Sequence, residues 1–162
     1  GWRQYAMNYA LRCFTAADLP HLAGIYRNAI RHLGSEFYSA QQIAAWSAFA
    51  DDQEAFAAWF DNATALVAVD AHGTRLGFGA YQATGRIAAL FVTPAAMRKG
   101  IGTALLTRML DELRRHGVKR VTTEASEFSR PLFEKSGFTV KEIEHTEHRG
   151  VAFQRYVMYL DF

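Results

Sequence analysis

Arg86-Ile87-Ala88-Ala89-Leu90-Phe91-Val92-Thr93-Pro94 is followed, after two alanines, by Met97-Arg98-Lys99-Gly100-Ile101-Gly102-Thr103-Ala104-Leu105-Leu106. From Ile87 to Val92 the chain is apolar without alternation, the pattern of a central strand buried on both faces, and Pro94 ends it. Beyond the loop, Ile101, Leu105, Leu106, Met109, Leu110 and Leu113 recur at helical spacing, and Gly117 closes the helix. The unit is therefore strand, glycine loop, helix. Loop glycines let a backbone approach a ligand, and the first N–H groups of a helix are unpaired and partly positive, so this unit suits an anion such as a pyrophosphate. Arg98 and Lys99 strengthen the field. A dinucleotide-binding loop would need a third glycine where Leu105 stands, and a P-loop would need a Gly-Lys-Ser/Thr ending that this segment lacks.

Upstream, helical signals dominate. Thr15 with Asp18 and Ser39 with Gln42 are capping-box patterns, each followed by apolar residues at helical spacing, and Asp51 with Glu54 predicts a third short helix. Ala10 to Phe14 reads as a strand, and Ala65 to Val69 with Leu76 to Gln82 as a hairpin turning at His72-Gly73. Downstream, Val118 to Ala125 returns to strand and Ser129 to Lys135 is a short helix with Pro131 near its start. Strands near Phe138 to Glu144 and Val151 to Leu160 form a last hairpin. The order predicts an α/β fold: a mixed, mostly antiparallel sheet of about six to seven strands flanked by helices. At 162 residues the chain reads as one domain, residues 1–162.

Eighteen basic and sixteen acidic residues leave a net charge of +2 without strong clustering, which argues against a nucleic-acid partner. No apolar run reaches the ~18 residues of a membrane span, and Gly1 to Tyr9 has no apolar signal-peptide core. With a single cysteine, Cys13, no internal disulfide forms, and a reducing, cytoplasmic setting is expected. Cys13 itself reads as a buried small hydrophobe.

Leu90 to Pro94 followed by Met97 to Leu106 resembles the acetyl-coenzyme A motif of the GNAT superfamily of N-acetyltransferases, whose usual form is Gln/Arg-x-x-Gly-x-Gly/Ala. Leu132-Phe133-Glu134-Lys135-Ser136-Gly137-Phe138 resembles that family's Phe-Tyr-Glu-Lys-x-Gly-Phe segment, and it lies one helix and one strand downstream. Tyr38 to Trp46, and Ala125-Ser126 before Arg130-Pro131-Leu132-Phe133, are similar to a bacterial branch whose acceptors are poorly defined. The resemblance implies an acyltransferase moving an acetyl group from acetyl-coenzyme A to an amine by direct attack in a ternary complex, without a metal. Phe91, Val92, Arg98, Lys99, Gly100, Ile101, Gly102, Thr103, Ser126 and Phe133 would hold the cofactor, Ser126 replacing an asparagine that the family often places near the pantetheine arm. The partner would be a small-molecule or peptide amine, and the protein a monomer or homodimer. The alternative is a non-catalytic acyl-coenzyme A sensor.

Two positions depart from the family pattern. Met97 stands where Gln or Arg is usual, which main-chain N–H groups and the Arg98 and Lys99 charges would offset. Phe133 replaces a tyrosine that can protonate the departing thiolate. Releasing a thiolate at pH 7 costs only about 2 kcal/mol relative to the thiol, whereas deprotonating an alkyl ammonium costs about 4 to 5 kcal/mol, so the base matters more than the acid. Glu124 is the first candidate base, then Glu36 and Glu127. Tyr38 is a candidate substitute acid or pocket wall, against simple packing on Trp46. Trp46, Trp59 and Phe60 read as core or as an apolar wall of the acceptor pocket. His145 and His148 with Glu144 and Glu147 suggest a metal site, but three-residue spacing on a strand sends the histidines to opposite faces.

Overall fold

The computed structural model describes residues 8–162, so most of the Gly1 to Tyr9 segment lies outside the described residues. Seven strands, β1 (Tyr9–Cys13), β2 (Thr64–Asp70), β3 (Arg75–Tyr81), β4 (Arg86–Val92), β5 (Arg120–Ala125), β6 (Thr139–His148) and β7 (Val151–Asp161), form one sheet in the order β1-β2-β3-β4-β5-β7-β6. Only β4 and β5 run parallel; the other neighbours are antiparallel, as the mixed pattern predicted. The helices are α1 (Leu19–Gly34), α2 (Ala40–Ser47), α3 (Gln53–Ala58), α4 (Ile101–Arg115) and α5 (Arg130–Lys135). None is long and apolar enough to cross a membrane.

Both capping boxes form. Ser39 Oγ accepts from the Gln42 N–H at 3.1 Å while Gln42 Oε1 accepts from the Ser39 N–H at 2.9 Å, which sets the start of α2. Asp18 does more than close its box. It is fully buried, accepts from the Thr15 N–H at 2.8 Å, and is gripped by Arg12 at 2.8 Å and Arg75 at 3.0 Å, so it ties the start of α1 to β1 and β3. Those charged hydrogen bonds outweigh burial and hold its carboxyl well below the usual carboxylate range. The third helix starts one residue later than its pattern suggested. Asp52 is the residue with extended backbone, and its Oδ1 accepts from the Ala55 N–H at 3.0 Å, while Asp51 ends a 3-10 turn.

The sheet is covered on both faces. Ile101, Leu105, Leu106, Met109 and Leu113 of α4 bury against one face, joined by Phe133 and Phe138; Leu22, Ile25, Tyr26 and Ile30 of α1 bury against the other with Phe56 and Phe60. Each such aliphatic or aromatic side chain contributes roughly 1.5–3 kcal/mol by leaving water. Cys13 is exposed rather than buried, because it lies in the edge strand β1, next to sheet only through β2.

Strand β4 departs most from its sequence pattern. It is not buried on both faces throughout: Ala88 is skipped in the pairing with β3, a bulge that turns Ile87 toward the α4 layer and Ala89 toward the α1 layer. Pairing with β5 covers only Arg86 with Thr122 and Ile87 with Thr123. Beyond Ile87 the two strands part, leaving the β5-side edge of β4 unpaired from Ala88 to Val92. At the closed end Gly85 has φ +110°, and a Cβ there would lie 2.6 Å from the Arg120 carbonyl oxygen, so only glycine permits the approach that pins the strands together. The final hairpin is longer than predicted, joined by Arg149-Gly150 with φ of 52° and 77°, a two-residue turn whose twist matches the strands.

Candidate active site

The loop before α4 leaves a row of main-chain donors unbonded among the described residues. Arg98 and Gly100 both adopt left-handed backbone, at φ 62° and 83°, and no side chain caps the helix. The first N–H to find an acceptor is that of Ala104, bonded to the Gly100 carbonyl at 2.9 Å; those of Arg98 through Thr103 donate to nothing among the described residues. Six successive free donors at a helix N-terminus create a concentrated positive field. A Cβ on Gly100 would meet nothing within 4 Å, so this cradle is open. One on Gly102 would lie 3.2 Å from Leu132 Cδ2, so that glycine also serves the packing of α4 on α5. Arg98, Lys99 and Thr103 are exposed and Arg98 and Lys99 make no ion pair among the described residues, whereas the Ile101 side chain is buried and leaves only its backbone for a ligand.

Next to the cradle, the gap between β4 and β5 widens into a cavity of about 340 Å³. Leu90, Phe91, Ser126, Ser129 and Phe133 line one part, and Tyr38, Trp46, Phe128, His148 and Phe153 another. The Phe91 ring turns into the α1 layer, 4.9 Å from Tyr26 and 5.7 Å from Phe78. Val92 is half-buried and packs toward Gly77 and Gly102. Ser126 and Ser129 bond each other, Oγ to Oγ at 2.9 Å, and each hydroxyl accepts the other's N–H. The Ser126 hydroxyl is thus committed to the turn into α5. Phe133 is 3% exposed and packs edge-on against Phe138 at 5.2 Å.

The candidate acid–base residues separate. Glu124 lines the cavity, with both carboxylate oxygens 3.0 Å from Arg86 Nε. Glu36 is exposed in the turn after α1 and does not reach the cavity. Glu127 accepts from the Tyr156 hydroxyl at 2.5 Å, which pushes the Tyr156 phenol up. Tyr38 lies in the wall, edge-on to Trp46 at 5.3 Å, and its hydroxyl accepts from the Glu127 N–H at 3.0 Å. Burial raises its phenol, so at neutral pH it keeps a proton to give. Trp46 is stacked on Phe128 at 5.4 Å, and Phe128 and Phe153 complete a wall that helical and strand spacing did not reveal, since they lie on distant elements. His145 is exposed and His148 half-buried, on opposite faces of β6, and among the described residues no three His, Cys, Asp or Glu side chains gather as metal ligands.

Residues 35–160 match the model of the acetyltransferase (GNAT) domain, from the end of α1 through β7. The chain belongs to the GNAT acetyltransferases. Among GNAT relatives, the uncharacterized N-acetyltransferase YafP of Escherichia coli (strain K12) is 28% identical over 151 residues, 93% of this chain and 95% of its own. A GCN5-related N-acetyltransferase from Rhodopseudomonas palustris superposes with a TM-score of 0.91 at 27% identity, covering 96% of this chain and 98% of that one. The PaiA N-acetyltransferase of Thermoplasma acidophilum, solved in complex with coenzyme A, shares the fold at a TM-score of 0.78 and 19% identity over 96% and 100% of the two chains. This GNAT chain is an acyltransferase.

Proposed function

We propose that this GNAT enzyme transfers an acetyl group from acetyl-coenzyme A to the nitrogen of an amine, the amine attacking the thioester directly while both are bound. The observation that carries the reading is the juxtaposition of six free N–H groups, from Arg98 to Thr103, with a β4 edge left unpaired from Ala88 to Val92. In this reading the cradle and the exposed charges of Arg98 and Lys99 take the pyrophosphate, and the pantetheine arm extends the broken sheet between β4 and β5 past Ser126 and Phe133. The Val92 N–H, which the pairing with β3 leaves on the open edge, faces the thioester oxygen as it gains charge, and one such preorganised donor is worth about 3 to 4 kcal/mol. The Thermoplasma relative, whose structure holds coenzyme A, supports the same cofactor here.

Glu124 in this scheme balances the charge of Arg86 beside the reacting centre, and Tyr38 offers a proton to the departing sulfur where Phe133 cannot. The acceptor enters from the aromatic end of the cavity, by Trp46 and Phe153. Coenzyme A thiol release, followed with a thiol reagent over a panel of small amines and short peptides, tests the reading. Acceptor-dependent release is the expected result. Tight acetyl-coenzyme A binding with no release on any amine would instead assign the chain to acyl-coenzyme A sensing.

A further inference from the structure

Four aromatic rings from four separate stretches of chain meet at one end of the cavity: Tyr38 before α2, Trp46 in α2, Phe128 before α5 and Phe153 in β7. Trp46 neighbours the other three. It stacks on Phe128 at 5.4 Å with 29° between the planes, while Tyr38 and Phe153 stand across it at 72° and 71°, their centroids 5.3 and 6.3 Å away. The ring planes therefore run in two near-perpendicular directions, the geometry of a box and not of a single stack. All four are half-buried, whereas Phe56, Phe60 and Phe78 of the neighbouring α1 layer are buried. Apolar surface left uncovered beside a cavity is what the apolar body of a ligand covers. The box is also braced: Gln42 Nε2 donates to the Ala152 carbonyl at 3.0 Å, fixing α2 to β7, and the Glu127 N–H donates to Tyr38 Oη at 3.0 Å, fixing Tyr38 to the segment before α5. Walls ordered in advance spare a ligand the cost of ordering them.

The charges in the lining decide what else that ligand can carry. Arg86 is taken by Glu124 and Arg155 by Glu144, and the lining holds no lysine. No guanidinium is left over for a carboxylate on the ligand, and a carboxylate drawn from water without a partner is costly. Of the two carboxylates in the lining, Glu124 is matched by Arg86, while Glu147 is exposed and makes no ion pair among the described residues. One unmatched carboxylate suits one ammonium. The cavity of about 340 Å³ lies at the small end of the roughly 300–1,000 Å³ typical of ligand pockets, and the thioester shares it, so the body must be small.

Resting on the acetyl-transfer reading, we propose that the acceptor is an arylalkylamine, a small primary monoamine with a flat aromatic ring and no carboxylate, its ring seated against Trp46 and Phe153 and its nitrogen turned toward the parted strands β4 and β5. Trp46 and Phe153 are then the residues that set acceptor specificity. An aromatic ring gains from stacked and edge-on contacts that a saturated chain of equal size does not make. In the reaction the acceptor ammonium loses a proton, its lone pair forms the C–N bond to the acetyl carbon, and the C–S bond breaks with its electron pair leaving on sulfur. A second proton leaves the nitrogen as the amide forms, and the thiolate takes up one proton. Arylalkylammonium and thioester thus give the N-acetyl amide, coenzyme A thiol and one proton released to solvent.

The test uses the full chain with acetyl-coenzyme A and compares kcat/KM, followed by thiol release, for β-phenylethylamine, cyclohexylethylamine, hexylamine, spermidine, phenylalanine and phenylalanine amide. β-Phenylethylamine should exceed the two saturated monoamines by about fivefold or more, since only a flat ring stacks. It should exceed spermidine and phenylalanine by about 100-fold or more, because a second ammonium and a carboxylate both lack partners in the lining. Phenylalanine amide, which removes the carboxylate charge, should recover about tenfold of that loss. Trp46→Leu and Phe153→Leu should each raise KM for β-phenylethylamine about tenfold, with kcat within about threefold and acetyl-coenzyme A affinity within about twofold, while Trp46→Phe should keep most of the wild-type KM. A saturated amine or spermidine turned over as well as β-phenylethylamine, phenylalanine turned over as well as its amide, or leucine variants with unchanged KM would each overturn the proposal and leave acetyl transfer standing. A wild type that releases no thiol with any of these amines overturns the transfer reading itself, and the acceptor assignment with it.

Discussion

Replacing Gly100 separates the two properties assigned to the cradle, its backbone shape and its charge. Gly100 is the residue before α4, at φ 83°, and a Cβ added there meets no atom within 4 Å. No clash opposes the variants, so both fold. An L-residue held in left-handed backbone costs about 1–2 kcal/mol, and a carboxylate at a helix N-terminus returns about 0.3–1 kcal/mol. Gly100→Ala should therefore lower Tm by roughly 2–8 °C, taking about 2–4 °C per kcal/mol for a domain of this size, with Gly100→Asp at or above it. Cofactor affinity should reverse that order. A carboxylate about 5 Å from one pyrophosphate charge, at an effective dielectric of about 20, is repelled by about 3 kcal/mol, which is about a 100-fold loss in affinity. Isothermal titration with acetyl-coenzyme A, beside thermal melts of the free proteins, reads both quantities. Added salt should narrow the gap, since charges several ångströms apart at the surface are screened at about 0.1 M and above. An Asp variant that binds within threefold of the Ala variant would refute the placement of the pyrophosphate at this loop.

Other substitutions probe the frame around the site. Because Arg12 and Arg75 depress the Asp18 carboxyl in the folded state, its stabilisation is complete above the ordinary carboxylate pKa of about 4 and is lost as pH falls toward the folded value. Asp18→Asn should cost about 2–4 kcal/mol at pH 7 and flatten the decline of Tm below about pH 4; an unchanged acid slope in melts across that range would count against the ion-pair account. Gly85→Ala forces a Cβ to within 2.6 Å of the Arg120 carbonyl oxygen, so denaturant unfolding should show a loss of about 3 kcal/mol or more, and a loss below about 1 kcal/mol would show that β4 and β5 can part there freely. Phe133→Tyr should leave kcat and acetyl-coenzyme A affinity within about twofold, because amine deprotonation is the costlier step by about 2 kcal/mol; a tenfold rise in kcat would show instead that thiolate protonation limits turnover.

The glycine loop was legible because it depends on local geometry: a strand stopped by Pro94, two glycines, and a helix whose apolar face recurs through Leu113. The capping boxes at Thr15 and Ser39 were legible for the same reason, each side chain reaching only three residues along the chain. The shift from Asp51 to Asp52 marks the limit of that signal, since adjacent aspartates are both good caps and the preceding 3-10 turn selects between them. Burial of β4 was misread because its apolar run resembles a strand covered on both faces, and nothing local announces that β5 leaves it after Ile87. Glu36 and Glu124 look alike as carboxylates in sequence. Only the fold leaves one in an exposed turn and presses the other against Arg86.

His148 shows the same division most sharply. Strand periodicity alone put it on the face opposite His145, and the sheet agrees. What that face meets depends on a hairpin turn, on an aromatic wall drawn from α2, β7 and the segment before α5, and on the gap between β4 and β5. Local patterns were enough to read the elements and the glycine loop before α4, because each rests on residues only a few positions apart. Tertiary structure decided which carboxylates are neutralised by arginines and which aromatic side chains gather into one wall. Those outcomes depend on side chains from strands far apart in the chain converging on one cavity, and on surroundings in which a paired charge and an unpaired one behave so differently.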